Sequence, residues 1–182
     1  MQSFKVPTRD EVSANNQAIF DNLKKQVGFV PNLYDTYTHS ENALGDYLAL
    51  SGRKTSLSGK EKEVVNLVVS EVNDCAYCKA AHTAIGKMNG FTDDQILEIR
   101  SGFASFDNKL DALAKYVKSA TLNRSRPEQS AIDEFFEAGY TKENLIDTIL
   151  LIGDKTISNF LYGSTNIPVD FPAAPELEVA AV

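Results

Sequence analysis

Residues 70–82, "SEVNDCAYCKAAH", hold both cysteines of the chain, Cys75 and Cys78, and one of its two histidines, His82. A helix turns about 100° per residue, so spacings of three and four residues bring these side chains onto one face if the segment is helical. Asn73 or Asp74 is suited to cap such a helix, which then begins at the first cysteine and continues through "CKAAHTAIGKMN" to Gly90. The cysteine pair sits in its first turn.

Working outward, the preceding "GKEKEVVNLVVSEV" carries Val64, Val65, Leu67, Val68, Val69 and Val72, β-branched enough to suggest a strand. Ser58 and Glu61 have capping-box spacing at its start, and the run is long and flanked by helical patterns, which favours a buried helix. Thr8 opens a helix ending at Gly28, and Ser40 is placed to cap "ENALGDYLALSGR". Thr92 and Gln95 form a second capping box before "DDQILEIR", which Gly102 ends. Leu110, Leu113, Val117 and Ala120 or Thr121 line one side of the next helix. Pro127 suits the start of "PEQSAIDEFFEA", stopped by Gly139. Thr141 caps a long helix to about Tyr162, whose stripe of Ile146, Ile149, Leu150, Gly153, Ile157, Phe160 and Leu161 suits a core or a subunit interface. Pro168, Pro172 and Pro175 imply an extended tail from about residue 164 to 182. The expectation is one all-α domain over residues 1–182, with about seven to nine helices.

A chain of 182 residues can bury a core without disulfide or metal staples. A net charge of -7 and a pI of about 4.9 argue against a nucleic-acid surface. No run approaches the roughly 20 apolar residues that cross a bilayer, and "MQSFKVPTRDEV" has no apolar leader pattern. These features predict a soluble, cytoplasmic protein with no membrane or nucleic-acid partner. In a reducing compartment a cysteine pair points to catalysis or metal binding rather than to a permanent crosslink.

A structural zinc site takes four Cys or His ligands, and beyond Cys75, Cys78 and His82 there is only the distant His39, read as a surface residue. Haem attachment needs histidine directly after the second cysteine, where Lys79 stands. No metal or cofactor is therefore expected. Two cysteines can also be small buried hydrophobes. A thiol near a helix N-terminus, however, is stabilised as thiolate by free N–H groups, and a histidine one turn away can take its proton if a carboxylate supports the imidazole. Glu63 and Glu71 are the candidate carboxylates, and spacing alone does not choose between them.

The segment "EKEVVNLVVSEVNDCAYCKAAH" resembles the AhpD-like alkylhydroperoxidases of the carboxymuconolactone decarboxylase superfamily. Their pattern is a glutamate, Cys-x-x-Cys twelve residues later, and histidine four after the second cysteine. "GFVPNLYDTY" and "SNFLYGSTNIPVDFP" resemble the flanks of the peroxidase-related branch, so the likeness covers most of the chain, with the motif-bearing core at about 40–125. The resemblance implies an AhpD-like helical fold, trimers or hexamers, and reduction of a hydroperoxide with an external dithiol or thiol protein as reductant. It implies Cys78 as the peroxidatic thiol, Cys75 as the resolving thiol, and His82 with Glu63 as the proton relay, Glu71 being the alternative. Tyr77 stands where the best-studied type has a second histidine. The rival readings are a protein disulfide-exchange or redox-sensing module and a decarboxylase-type lyase.

Overall fold

The computed structural model describes residues 4–177. Among these residues the fold is all-helical, with no strand. A 3-10 turn at Arg9–Glu11 precedes α1 (Ala14–Val27), α2 (Asn32–Tyr37), α3 (Ala43–Ser51), α4 (Gly59–Val72), α5 (Ala76–Met88), α6 (Asp93–Arg100), α7 (Asn108–Leu122), α8 (Gln129–Glu137) and α9 (Lys142–Thr165). The chain forms two compact units: Met1–Lys54 with Phe160–Asp170, and Thr55–Asn159 with Phe171–Val182.

In the first unit, the helix expected from Thr8 onward is broken. Thr8 and Glu11 close a capping box around the 3-10 turn, Val12 is extended, and Ser13 caps α1 by accepting from the Asn16 N–H at 3.3 Å. Short polar side chains that bond nearby backbone compete with helix continuation, and two of them in six residues divide the segment. Ser40 does not cap α3; Asn42 holds that position without a side-chain bond. Phe20, Leu23, Leu33, Leu44 and Tyr47 are buried, and Tyr37 stacks on Tyr47 with centroids 4.6 Å apart. Asn32 donates from its N–H to Asp170 at 2.8 Å and from Nδ2 to the Pro168 carbonyl at 3.1 Å, which ties residues 168–170 to the start of α2.

The second unit is built around α4. Val64, Val65, Leu67, Val68 and Val69 are fully buried, because α5, α6 and α7 pack against this helix and leave it little solvent face. This burial explains the β-branched run: tertiary packing outweighs the small helix-propensity cost of valine. The Ser58–Glu61 and Thr92–Gln95 capping boxes form as expected. Leu110, Leu113, Val117 and Ala120 of α7 face the core. Phe135 of α8 is fully buried between Tyr116 and Tyr140, at centroid distances of 5.0 and 4.4 Å. Thr141 caps α9, accepting from the Asn144 N–H at 3.2 Å. That helix ends at Thr165 rather than Tyr162, so the extended tail begins later than expected, and residues 178–182 of that expectation lie outside the described residues.

Along α9 the usual polarity is reversed. Ile146, Ile149, Leu150, Ile157 and Phe160 are exposed, whereas Thr148, Asp154, Lys155, Ser158 and Asn159 are buried. The polar side of this helix faces inward because of what it meets there.

Candidate active site

The site begins with the way α4 ends. Cys75 N–H donates to the Ser70 carbonyl at 2.9 Å and Asp74 N–H to the Glu71 carbonyl at 3.0 Å, the pair of bonds that defines a Schellman ending. Asp74 takes the left-handed conformation this ending requires, at φ 49°, where glycine is usual and aspartate is tolerated. The next residue is Cys75. Having completed the end of α4, it also serves as the N-cap of α5, its Sγ accepting from the Cys78 N–H at 3.2 Å. The cap expected from Asn73 or Asp74 is thus supplied by the cysteine itself: Asn73 is the C-cap of α4, and Asp74 accepts from Lys79 Nζ at 2.8 Å. Both cysteines are free thiols, and both are buried.

His82 lies one turn beyond Cys78 on the same helix. Its Nδ1 is 2.8 Å from Glu63 Oε2, and the other Glu63 oxygen accepts from Asn66 Nδ2 at 3.0 Å. Packing of α4 against α5 therefore brings Glu63 to His82. Glu71 is engaged elsewhere, accepting from Arg100 Nε at 2.7 Å. Tyr77 meets the Phe171 ring edge-on, with centroids 5.6 Å apart.

The inward face of α9 completes the surroundings. Asn159 accepts from Asn73 Nδ2 at 2.9 Å, while its own Nδ2 is buried without an acceptor and faces the two thiols electrostatically. Lys155, one turn earlier, is 7 % exposed and acts on Cys78, His82 and Glu63; Asp154 acts on His82. From sequence, this helix stands out only for its apolar stripe. Asp154, Lys155, Ser158 and Asn159 fall opposite the stripe at helical spacing, the pattern of an ordinary amphipathic helix, so the sequence carries no sign that this polar face is the buried one.

The electrostatics separate the groups. Burial lowers the His82 pKa, Lys155 lowers it further and Glu63 resists, leaving a net depression and a neutral imidazole at pH 7. Burial alone would raise Glu63, but contact with His82, the Asn66 bond and Lys155 more than offset it, so Glu63 stays ionised. The sulfurs titrate as a pair. The Cys75 thiol donating to Cys78, against burial and with help from Lys155 and Asn159, holds Cys78 below the ordinary thiol range. The same contact and burial push Cys75 well above it. The Cys78 N–H pulls the other way, favouring charge on Cys75, and is outweighed. The arrangement can therefore hold one thiolate, one thiol and a neutral base backed by a carboxylate. Among the described residues no cluster of three or more metal-ligating side chains forms, and no helix is long and apolar enough to cross a membrane.

Residues 39–121 match the carboxymuconolactone decarboxylase family. The helical fold matches the AhpD core of a peroxidase-related protein from Ralstonia eutropha JMP134, at 18% identity and a TM-score of 0.82, over 92% of this chain and 91% of that one. The fold is AhpD-like, and its helical core resembles the carboxymuconolactone decarboxylase family. A peroxidase-related protein from Silicibacter sp. TM1040 matches at 20% identity and a TM-score of 0.81, over 91% and 90% of the two chains. The debrominase Bmp8, in complex with 2,3,4-tribromopyrrole, matches at 13% and 0.77, over 93% and 92%. No curated protein matches the sequence. At such identities the likeness to solved structures is one of fold, and the carboxymuconolactone decarboxylase match includes α4, which carries Glu63, and α5, which carries Cys78 and His82 with Cys75 at its cap.

Proposed function

We propose that this AhpD-like protein is a thiol-dependent hydroperoxide reductase. The observation that carries the reading is the buried Cys75–Cys78 pair in the first turn of α5, beside a His82–Glu63 contact of 2.8 Å. Cys78, as thiolate, attacks the outer oxygen of a hydroperoxide. The O–O bond breaks, sulfur is oxidised to sulfenic acid, and the alkoxide leaves with a proton supplied through His82, as alcohol or water. Glu63 supports the imidazolium that forms whenever His82 takes up a proton from a thiol. The Cys75 sulfur then displaces hydroxide from the sulfenic acid; with the Cys75 proton this leaves as water, and a disulfide remains. The balance is dithiol plus hydroperoxide to disulfide plus alcohol plus water.

An external dithiol or thiol protein restores the pair by exchange, so the protein works in a reducing compartment such as the cytoplasm. The exposed Ile146, Ile149, Leu150 and Ile157 of α9 support assembly into a homo-oligomer, a trimer or hexamer; a monomer by light scattering at micromolar concentration would refute that assembly.

The test of the chemistry is peroxide consumption by the pre-reduced protein, with intact mass before and after. Loss of two hydrogens in the wild type, with a trapped sulfenic acid on Cys78 in Cys75→Ser, is the expected result. Full turnover by Cys78→Ser would exclude the mechanism. Protein-disulfide reduction without peroxide consumption would select a disulfide-exchange module, and lyase activity surviving loss of both thiols would select the decarboxylase reading. Because two-electron reduction by a dithiol also suits a carbon–halogen bond, a bromopyrrole is the comparison acceptor.

A further inference from the structure

The two thiols differ by three residues and are almost equally buried, yet the proposed reaction needs the negative charge on one of them. Helix geometry by itself favours the wrong one. Cys75 is the N-cap, and its sulfur, not that of Cys78, receives a backbone N–H. Asn159 does not break the tie, since it acts on both sulfurs. Lys155 is different. The Asn159–Asn73 bond fixes the inward face of α9 against the C-terminal end of α4, two residues before Cys75. Near the other end, Asn144 Nδ2 donates to Ser56 Oγ at 2.9 Å, so α9 runs in the direction of α4 and against that of α5. Lys155, about 6 Å back from Asn159, falls beside the first turns of α5, where it acts on Cys78 and His82. Its ammonium makes no ion pair within 4.0 Å among the described residues, although it is 7 % exposed. A buried cation without a paired carboxylate is costly unless an anion forms beside it.

We infer that Lys155 is the positioning charge that assigns the thiolate to Cys78 rather than Cys75. The inference rests on the reductase reading only for the choice of attacking sulfur. The charged and titratable groups facing the pair are Glu63 from α4, Cys75 and His82 from α5, and Asp154 and Lys155 from α9. Lys155 is the one lysine or arginine among them. The same charge adds to burial in keeping His82 neutral and ready to accept a proton, so one side chain favours both nucleophile and base.

The test is site-resolved alkylation of the full, reduced chain with substoichiometric iodoacetamide from pH 5 to 9, the two cysteines being separated by fragment mass. Wild type is expected to label chiefly at Cys78. Lys155→Met, nearly isosteric, should lower the Cys78 to Cys75 labelling ratio roughly tenfold and move the Cys78 midpoint up by about one pH unit, the low end for loss of a nearby opposite charge. Lys155→Arg should restore both. A ratio and midpoint in Lys155→Met within about twofold and about 0.2 pH units of wild type would overturn the inference. So would equal defects in the Met and Arg variants, which would indicate a packing role. Alkylation does not depend on peroxide. A shifted ratio in a protein that consumes no peroxide removes the reductase reading and leaves Lys155 in place, whereas an unshifted ratio in an active peroxidase does the reverse.

Discussion

Replacing Glu63 separates its structural role from its chemical one. Its two carboxylate oxygens accept from two buried donors, His82 Nδ1 at 2.8 Å and Asn66 Nδ2 at 3.0 Å. In Glu63→Ala both donors lose their acceptor inside the protein. At roughly 1–3 kcal/mol for each unsatisfied group, the expected loss of stability is about 2–6 kcal/mol. Glu63→Gln behaves differently. The amide oxygen can still accept from His82, and its NH2 would face the Asn66 NH2 until Asn66 flips. Asn66 is free to do so, because its Oδ1 is buried without a partner and would then accept from the new amide. Stability should therefore fall by no more than about 1 kcal/mol. The charge is lost nonetheless, and a charge-assisted bond to the imidazolium becomes a neutral one, a difference of roughly 1–2 kcal/mol. If His82 carries a proton in the rate-limiting step, that is about a tenfold loss of peroxide turnover.

The assays are urea unfolding of all three proteins and peroxide consumption by the two that stay folded. A Gln variant as unstable as the Ala variant would show that Asn66 does not re-pair. A stable Gln variant with undiminished turnover would refute Glu63 as the partner of the working imidazole.

Stability should also fall with acid in two stages. His82 has a depressed pKa in the folded state, so the unfolded chain binds its proton first, and stability is lost as pH falls below about 6.5 toward the folded value. Glu63, also depressed, contributes above the unfolded carboxylate range of about 4.3 and loses that contribution as pH falls through its folded value. Urea midpoints between pH 8 and 3 check both, and His82→Gln should remove the first stage and weaken the second, since contact with His82 is part of what lowers Glu63. Asp35 runs the other way. Burial, and then Asp170, raise it to about 7, so its penalty appears as pH rises; Asp35→Asn should stabilise at pH 8 by about 1–2 kcal/mol after allowance for solvent screening, with the gain gone at pH 4. Asp74, held at φ 49°, should accept glycine within about 1 kcal/mol, whereas Asp74→Val should cost about 1–2 kcal/mol and displace Cys75; thermal unfolding of the two variants tests this.

The parts of the fold that were legible depend on local chemistry. Ser58, Thr92 and Thr141 announce helix starts through bonds closed within four residues, and α4 and α7 announce themselves by apolar spacing. The misreadings arose where two local solutions compete. Thr8 and Ser13 each offer a cap, and only packing decides that both are used. At the α4–α5 corner Asn73 and Asp74 are better cap formers than cysteine, but the Schellman ending of α4 consumes them and leaves Cys75 to cap. The Cys75, Cys78, His82 face followed from helical spacing, whereas the choice of Glu63 over Glu71 needed the packing of α4 on α5. Lys155 and Asn159, more than seventy residues away in sequence from the thiols, were hidden because a polar stripe facing inward looks like an ordinary solvated face until its helix is placed.

The double use of Cys75 bears on the redox poise of the pair. In the reduced protein its sulfur accepts the Cys78 N–H, and Cys78 can carry a charge that Lys155 and Asn159 favour. Closing the disulfide removes the thiolate outright and leaves a weaker sulfur acceptor at the head of α5. Spacing does not oppose closure, since positions three apart on a helix put Cβ atoms about 5–6 Å apart and a bridge needs only a modest approach. What the oxidised form loses is therefore electrostatic. A pair whose reduced form is selectively stabilised is the more oxidising, so this one should be readily reduced by an external dithiol, as a catalytic cycle requires. Lys155→Met should make the potential more negative, and a tenfold loss of thiolate stabilisation corresponds to about 30 mV for a two-electron couple. Equilibration of wild type and variant against glutathione buffers at pH 7 measures this directly. An unchanged or more positive potential in Lys155→Met would mean that the lysine does not stabilise the reduced pair.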